Sequence, residues 1–221
     1  MKELVIATKN PDKKREIIRL LGGLRIKVIS LDRYPGCPDV KEGSRSFREN
    51  AVRKAMAVSR FTGKPALADD SGLETDALNG RPGVRSSRFA GRGATYAQNN
   101  CKLLRMLAGR KAEHRGAQFR CVVAVCDYPR LAGTVEGRIR GRIAFAPKGR
   151  YGFGYDPVFI VPRYGKTFAQ LGPKIKHRIS HRARALRKAK KLIVKTAIKA
   201  PSRLPQDKSS GKSLISLCPC L

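Results

Sequence analysis

Apolar residues along the chain follow two spacings, and each spacing predicts an element. ELVIAT (3–8) is an unbroken apolar run of strand length. In NPDKKREIIRLLGG, Ile17, Ile18, Leu20 and Leu21 instead recur on one helical face. Asn10 suits the cap of that helix, Pro11 its first position, and Gly22 with Gly23 its stop. RIKVIS (25–30) predicts a second strand, and 35–43 a loop. SFRENAVRKAMAVSRFTG opens with Ser46-x-x-Glu49, the spacing of a capping box. Ala51, Val52, Ala55, Met56 and Ser59 follow at helical intervals until Gly63.

PALAD (65–69) predicts a short buried strand that runs into Asp69, Asp70 and a tight turn at Ser71-Gly72. Residues 72–93, rich in Gly, Pro, Asn and Ser, predict a long loop. Thr95, with Gln98 at the third helical position, caps the next helix. AQFRCVVAVCDY (117–128) and LAGTVEGRIRGRIAFA (131–146) predict a hairpin and further strands. Cys121 and Cys126, five apart, fall on opposite sides of their strand. A Gly-rich loop, PKGRYGFGYDP, leads into a short strand, and Ser180 caps a last helix that Pro201 closes. Strands alternating with helices predict an α/β fold with an antiparallel middle. Residues 1–199 are expected to form one domain and 200–221 a disordered tail.

Composition narrows the class. With 41% apolar and 29% charged residues the 221-residue chain is globular. No apolar run approaches the roughly 18 residues of a membrane span. MKELVIATKN is too short in its apolar part for a signal peptide, so a soluble cytoplasmic protein is expected. Lys and Arg number 48 against 16 Asp and Glu, a net +32. Such a field attracts polyanions and steers anionic substrates, although solvated helix faces also absorb such an excess. From Ala200 onward only Arg203, Lys208 and Lys212 face Asp207, so the excess belongs to the body. Six cysteines without a C-x-x-C pair, and three histidines, argue against zinc. The terminal CPCL fits a prenylation pattern only formally, because Pro219 and Cys220 are poor aliphatic positions.

Four stretches carry candidate chemistry, and each leaves two uses open. In ATKNPDKKREI a strand ends beside a helix N-terminus, with Thr8, Asn10 and Lys13 as donors. That suits a phosphate, yet a capped helix after a strand is also ordinary architecture. Asp69 and Asp70 are neighbouring like charges that a cation would relieve. Hard oxygens favour Mg²⁺, or one carboxylate serves as a base toward water; otherwise an Asp simply caps the turn. In GFGYDP, Phe153 and Tyr155 can stack on a base and Asp156 can accept from ring N–H groups, or the aromatics fill the core. Lys176, His181 and Arg182 suit phosphate or a purine carbonyl, or form a solvated basic face.

Taken in order, ATKNPDKKREI, SFRENAVRKA, ALADDSGLETDALNGRPGVRSSRFAG, GFGYDPVF and ISHRARAL resemble the inosine triphosphate pyrophosphatase (Ham1-like) family over roughly residues 1–195. The resemblance implies an elongated mixed β-sheet with flanking helices, two lobes around a central cleft, and a homodimer. It implies Mg²⁺-dependent hydrolysis of ITP, dITP and XTP between the α and β phosphates, which cleans deaminated purines from the nucleotide pool. By matched position Thr8, Asn10 and Lys13 hold phosphates. Asp70 is general base or metal ligand, with Asp69 beside it and Lys13 completing the catalytic set; Ser71 touches substrate. Phe153, Gly154, Tyr155 and Asp156 line the base pocket, and Lys176, His181 and Arg182 read the 6-oxo group. Adenine would set an amino donor against those donors.

Some positions depart from the family pattern. Lys9 and Asp12 replace two glycines of the first loop, which is expected to crowd the phosphate and to add an adverse charge at Asp12. Lys41 replaces the first of two acids, leaving Glu42 as the second metal ligand beside Asp70. Gln170, Lys174 and Ile175 also stand at usually acidic places, so weaker metal affinity is expected. Two rival readings follow. One is a nucleic-acid-binding protein on the same scaffold with weakened catalysis. The other is a related enzyme acting on other modified nucleotides.

Overall fold

The computed structural model describes residues 2–40, 43 and 46–198. The apolar run and the 3.6-residue spacing fold as expected at the N-terminus. β1 (Lys2–Ile6) is followed by α1 (Pro11–Leu21), whose cap Asn10 accepts through its side chain from the Asp12 and Lys13 N–H groups. β2 is Ile26–Ser30, and α2 is Phe47–Thr62. Ser46 Oγ accepts from the Glu49 N–H at 3.1 Å, while the Glu49 carboxylate lies 3.9 Å from Arg53. Gly63 ends α2 at φ 62, in the left-handed region.

The predicted turn at Ser71-Gly72 is not a turn. β3 runs unbroken over Ala66–Thr75 and pairs along its whole length with β4 (Gly116–Asp127), placing Asp69 opposite Val123 and Asp70 opposite Val122. Gly72 is needed for another reason. A Cβ there would lie 2.4 Å from the Gly83 carbonyl and 2.5 Å from Ser86 Oγ, so the following loop packs directly on the strand. That loop is correspondingly ordered: 3₁₀ turns cover Asp76–Leu78 and Gly83–Arg88 before α3 (Tyr96–Met106). Thr95 and Gln98 form the expected reciprocal cap of α3.

β4 and β5 (Arg130–Ile143) make the expected hairpin, followed by β6 (Phe159–Val161) and β7 (Lys166–Thr167). The seven strands lie in the order β2-β1-β3-β4-β5-β6-β7, with only β2, β1 and β3 mutually parallel. An unpredicted helix, α4 (Phe168–Ile179), precedes α5 (His181–Ile198). Gly172-Pro173 disguises it in the sequence, and Gly172 does interrupt its helical path at φ 75. Gln170 is not a vacant acidic site: it closes a capping box with Thr167, a task Gln performs as well as Glu. Lys41, Glu42, Pro201 and the proposed tail 200–221, with Cys218 and Cys220, lie outside the described residues.

Three cores position the site. Val5, Ala51, Ala55, Ala68, Val122 and Cys126 pack under α2 on one sheet face. Leu4, Ile17, Leu67, Cys121, Val123 and Leu186 pack under α1 and α5 on the other. Cys121 and Cys126 thus face opposite sides, as their spacing requires. Leu73, Leu103, Phe119, Ile139, Phe159 and Phe168 gather at the far half of β3, β4 and β5. Residues 69–72 of β3 fall between the first two cores and the third.

Candidate active site

The cleft opens where β1 stops. β1 pairs with β3 only at Ala66 and Leu67, so that flank of β3 is open from Ala68 until the following loop bonds to it at Leu73 and Thr75. The turn 7–10 and the start of α1 lie there, outside the carboxyl end of a parallel strand. Successive strand residues point to opposite faces. Asp69 and Asp70 therefore do not share one site, and the expected side-by-side repulsion is absent.

Asp69 faces α1 and α5 and is fully buried. Its Oδ2 accepts from Arg182 Nε at 3.2 Å, Arg182 Nη2 at 3.1 Å and Ser71 Oγ at 3.1 Å, with Lys13 Nζ 3.3 Å away. Burial alone would raise its pKa, but Lys13, Arg182 and Lys54 outweigh that and hold it well below the ordinary range. Arg182 also donates through Nη1 to Glu16 and through Nη2 to Ser71 Oγ at 2.9 Å. Lys176 donates to Asp156 and pairs with Glu16 at 2.7 Å. Burial opposes ionisation of Glu16, yet Arg182 and Lys176 pull its pKa down to about 2. Glu16 escaped the sequence reading. Its signal is its place three residues after Lys13, on the buried face of α1.

These cations form one wall of a pocket lined by aromatic rings. Lys176 Nζ lies 4.4 Å and Arg182 Cζ 5.6 Å from the Phe153 ring centroid. His181 stacks on Phe119 at 4.6 Å with an 11° interplanar angle. Burial, with Arg182 and Lys176 nearby, drives the His181 pKa well below its usual value, so its imidazole is neutral at pH 7. Tyr155 lines the same pocket, and its hydroxyl donates to the Ser86 carbonyl at 3.0 Å. The Gly154 carbonyl accepts from Asn100 Nδ2 at 3.0 Å, leaving Gly154 as bare pocket wall. Asp156 Oδ2 accepts from the Phe153 N–H at 2.9 Å as well as from Lys176, so it organises the loop. Tyr96, also unforeseen, lies 5.9 Å from the Phe153 ring. Its hydroxyl bridges Asn10 Nδ2 and Asp12 Oδ2, each at 3.1 Å.

Asp70 faces α2 instead. Its Oδ2 accepts from Asn50 Nδ2 at 3.1 Å and its Oδ1 from Lys54 Nζ at 3.0 Å. Lys54 also donates to the Asp69 carbonyl at 2.9 Å. Asn50 and Lys54, one helical turn apart beside Ala51 and Ala55, were legible only as polar residues on an apolar stripe. Asp70 and Lys54 line a polar compartment together with Thr8, Lys9, Asn10 and Lys13. Thr8 Oγ1 accepts from the Asn10 N–H at 3.2 Å. Asn10, Lys13 and Ser71 line both compartments and form the seam between them. One loop expectation needs correction. Asp12 pairs with Arg15 and Tyr96 and lines a separate hollow, so its charge is turned away from the polar compartment. Lys9 lines that compartment and pairs with Asp39 across it.

The donor set suits a small hard cation. Asp70 is a carboxylate on the compartment wall, and the neighbouring Asn50 Oδ1 is buried without a hydrogen-bond partner. Among the described residues no group of three or more His, Cys, Asp and Glu gathers. Small hard cations are commonly held through one or two carboxylates, with phosphate and water completing the shell. Glu42, the other expected ligand, lies outside the described residues.

Fold and cleft define a mixed α/β protein with two joined compartments, one ring-lined and one cationic. The chain belongs to the Ham1 family, whose model matches residues 4–192. It is 52% identical over 188 residues to the dITP/XTP pyrophosphatase of Geobacillus kaustophilus, covering 85% of this chain and 92% of that protein. It is 47% identical over 191 residues to the dITP/XTP pyrophosphatase of Desulforamulus reducens, covering 86% and 95%. A solved Ham1 protein from Coxiella burnetii superposes with a TM-score of 0.80 at 42% identity, covering 88% of this chain and all of that one.

Proposed function

We infer that this protein hydrolyses deaminated purine nucleoside triphosphates, dITP, ITP and XTP, to the monophosphate and pyrophosphate. The observation that carries this reading is the seam of Asn10, Lys13 and Ser71 between a ring-lined and a cationic compartment. A purine fits the first and a triphosphate the second.

Thr8, Asn10, Lys13 and Lys9 surround the phosphate side. The first-turn N–H groups of Asp12 and Lys13 are already engaged by Asn10 Oδ1, so α1 contributes its dipole and Lys13 its charge. Asp70, steadied by Asn50 and Lys54, orients the attacking water and takes its proton as the bond to the α phosphorus forms. Lys13, Lys54 and Lys9 screen the charge that gathers on the departing pyrophosphate. A divalent ion held by Asp70 and Glu42 would neutralise phosphate charge there. In this reading Asp69 acts as a positioning residue, holding Arg182, Lys13 and Ser71 on the face of β3 away from Asp70.

On the base side, Phe153 and the Phe119–His181 stack supply apolar faces. Lys176 has three N–H donors and engages two carboxylates; Arg182 has five, and four are engaged. Each cation thus keeps one N–H for the 6-oxo acceptor, and the adenine amino group would leave both unpaired. The protein is proposed to act as a homodimer, which its mass in solution tests.

The deciding experiment is pyrophosphate release from dITP, ITP, XTP, GTP and ATP, with and without Mg²⁺. Turnover of the first three with Mg²⁺, and little of ATP, is expected. Equal turnover of all five, or preference for modified pyrimidine triphosphates, would overturn the assignment.

A further inference from the structure

Outside the cleft, the largest unabsorbed feature is positive charge along α5 and β5. α5 carries Arg182, Arg184, Arg187, Lys188, Lys190, Lys191 and Lys195 and no acid. Only Arg182 turns inward to the site. Arg184, Arg187, Lys188 and Lys191 are exposed and, with Arg138 and Glu136 of β5, line a groove between helix and strand.

Two features make this groove more than a solvated helix face. First, α5 is pressed unusually close to β5. A Cβ on Gly137 would lie 2.2 Å from the His181 carbonyl and 2.5 Å from the Ala185 nitrogen, so only glycine admits that approach. Second, β6 pairs with β5 only at Arg142 and Ile143, so the earlier part of β5 is an edge on that flank. The basic side chains cap this edge. Arg184 Nη1 donates to the Arg138 carbonyl and Lys188 Nζ to the Glu136 carbonyl, each at 2.8 Å. Arg187 Nη2 donates to the Arg178 carbonyl at 3.0 Å. Carbonyls fix the geometry of these cations without cancelling their charge. The one carboxylate in the groove, Glu136, is engaged by Arg120 and Arg138. Capping also blunts the edge against pairing with another strand.

We propose that this groove is a contact surface for the phosphodiester backbone of nucleic acid, separate from the nucleotide cleft. From Arg184 to Lys195 the cations recur at helical intervals over roughly 16 Å, about five steps of a strand at ~3.4 Å each. Among the described residues no aromatic ring lines the groove, so it offers no platform for stacked bases and its cations are left to meet phosphates. An anionic membrane would find charge but no apolar wedge beside it, and two copies meeting through this same groove would repel each other.

The test uses the full chain, a short mixed-sequence duplex DNA, the corresponding single-stranded RNA, and phosphatidylserine vesicles. Binding is measured between about 50 and 200 mM salt. Replacing Arg187→Gln, Lys188→Gln and Lys191→Gln together should weaken nucleic-acid binding by at least about tenfold and reduce the duplex salt slope by about three. Pyrophosphate release from dITP should be unchanged, which also reports intact folding. The charge-preserving set Arg187→Lys, Lys188→Arg and Lys191→Arg should bind nearly as tightly as the parent. As a control for diffuse charge, Arg105→Gln, Arg110→Gln and Lys111→Gln remove three exposed cations elsewhere. An equal loss in that control would overturn the proposal, as would binding to vesicles without binding to either nucleic acid. Preference between DNA and RNA identifies which backbone the groove takes.

Discussion

The two faces of β3 hold neighbouring acids in opposite circumstances. Asp69 is sealed beneath Arg182, Lys13 and Ser71, which it holds through Oδ2. Asp70 has two defined partners and a side chain that reaches the wall of a cleft. One dipeptide thus supplies both a structural anchor and a chemical group. A short sequence motif can serve two sites when a strand passes between them.

The largest expected effect separates the faces directly. Asp70→Asn should lower kcat for dITP by about 10²- to 10⁴-fold while leaving the melting temperature near the parent value. Retained turnover would remove Asp70 from proton transfer. Asp69→Asn should do the reverse first: it leaves the buried Arg182 with Glu16 as its one remaining carboxylate among the described residues and should cost roughly 3–5 kcal/mol of stability by denaturant titration. A variant as stable as the parent would show that Asp69 anchors little.

Acid probes the sealed face without mutation. Glu16 titrates at about 2 in the folded protein against 4.5 when free. Its ionised form therefore stabilises the fold above about pH 4.5, and that contribution is lost as pH falls toward 2. His181 acts in the same direction, because the unfolded chain takes up its proton below pH about 6.5 while the buried imidazole resists. Stability measured against pH should fall through these windows in the parent and in Asp70→Asn alike.

Smaller effects lie at the seam and beyond it. Lys13→Ala should raise KM for the triphosphate by about 10- to 100-fold, with much less change in affinity for the free nucleoside. Equal shifts in both would place Lys13 on the base side only. Lys9→Gly, which restores the usual residue of the family, should change KM less than about fivefold, because the Lys9–Asp39 pair is well exposed. A larger loss would make Lys9 a principal phosphate ligand.

Much of this was legible beforehand. Asn10, Thr95 and Ser180 capped the helices they were expected to cap, and the β4–β5 hairpin formed from the two runs read as strands. Thr8, Lys13, Ser71, Phe153, Lys176, His181 and Arg182 do converge on one cleft. The second half of β3 was hidden because Asp-Asp-Ser-Gly has the composition of a turn, whereas Gly72 answers to a tertiary contact with Gly83 and Ser86. With the strand misread as a turn, the opposite orientations of Asp69 and Asp70 could not be seen. Glu16, Asn50, Lys54 and Tyr96 were hidden for a related reason: their partners come from distant segments.

The unbroken pairing of β3 sets a limit on how this protein can change. Side-chain direction along a strand repeats every second residue. Inserting or deleting one residue between Ala66 and Asp69 would turn each acid to the opposite face, carrying the reactive carboxylate of Asp70 away from the polar compartment and toward α1. Over that stretch, length is under tighter constraint than identity: point replacements degrade one compartment at a time, whereas a single-codon indel would disable both at once.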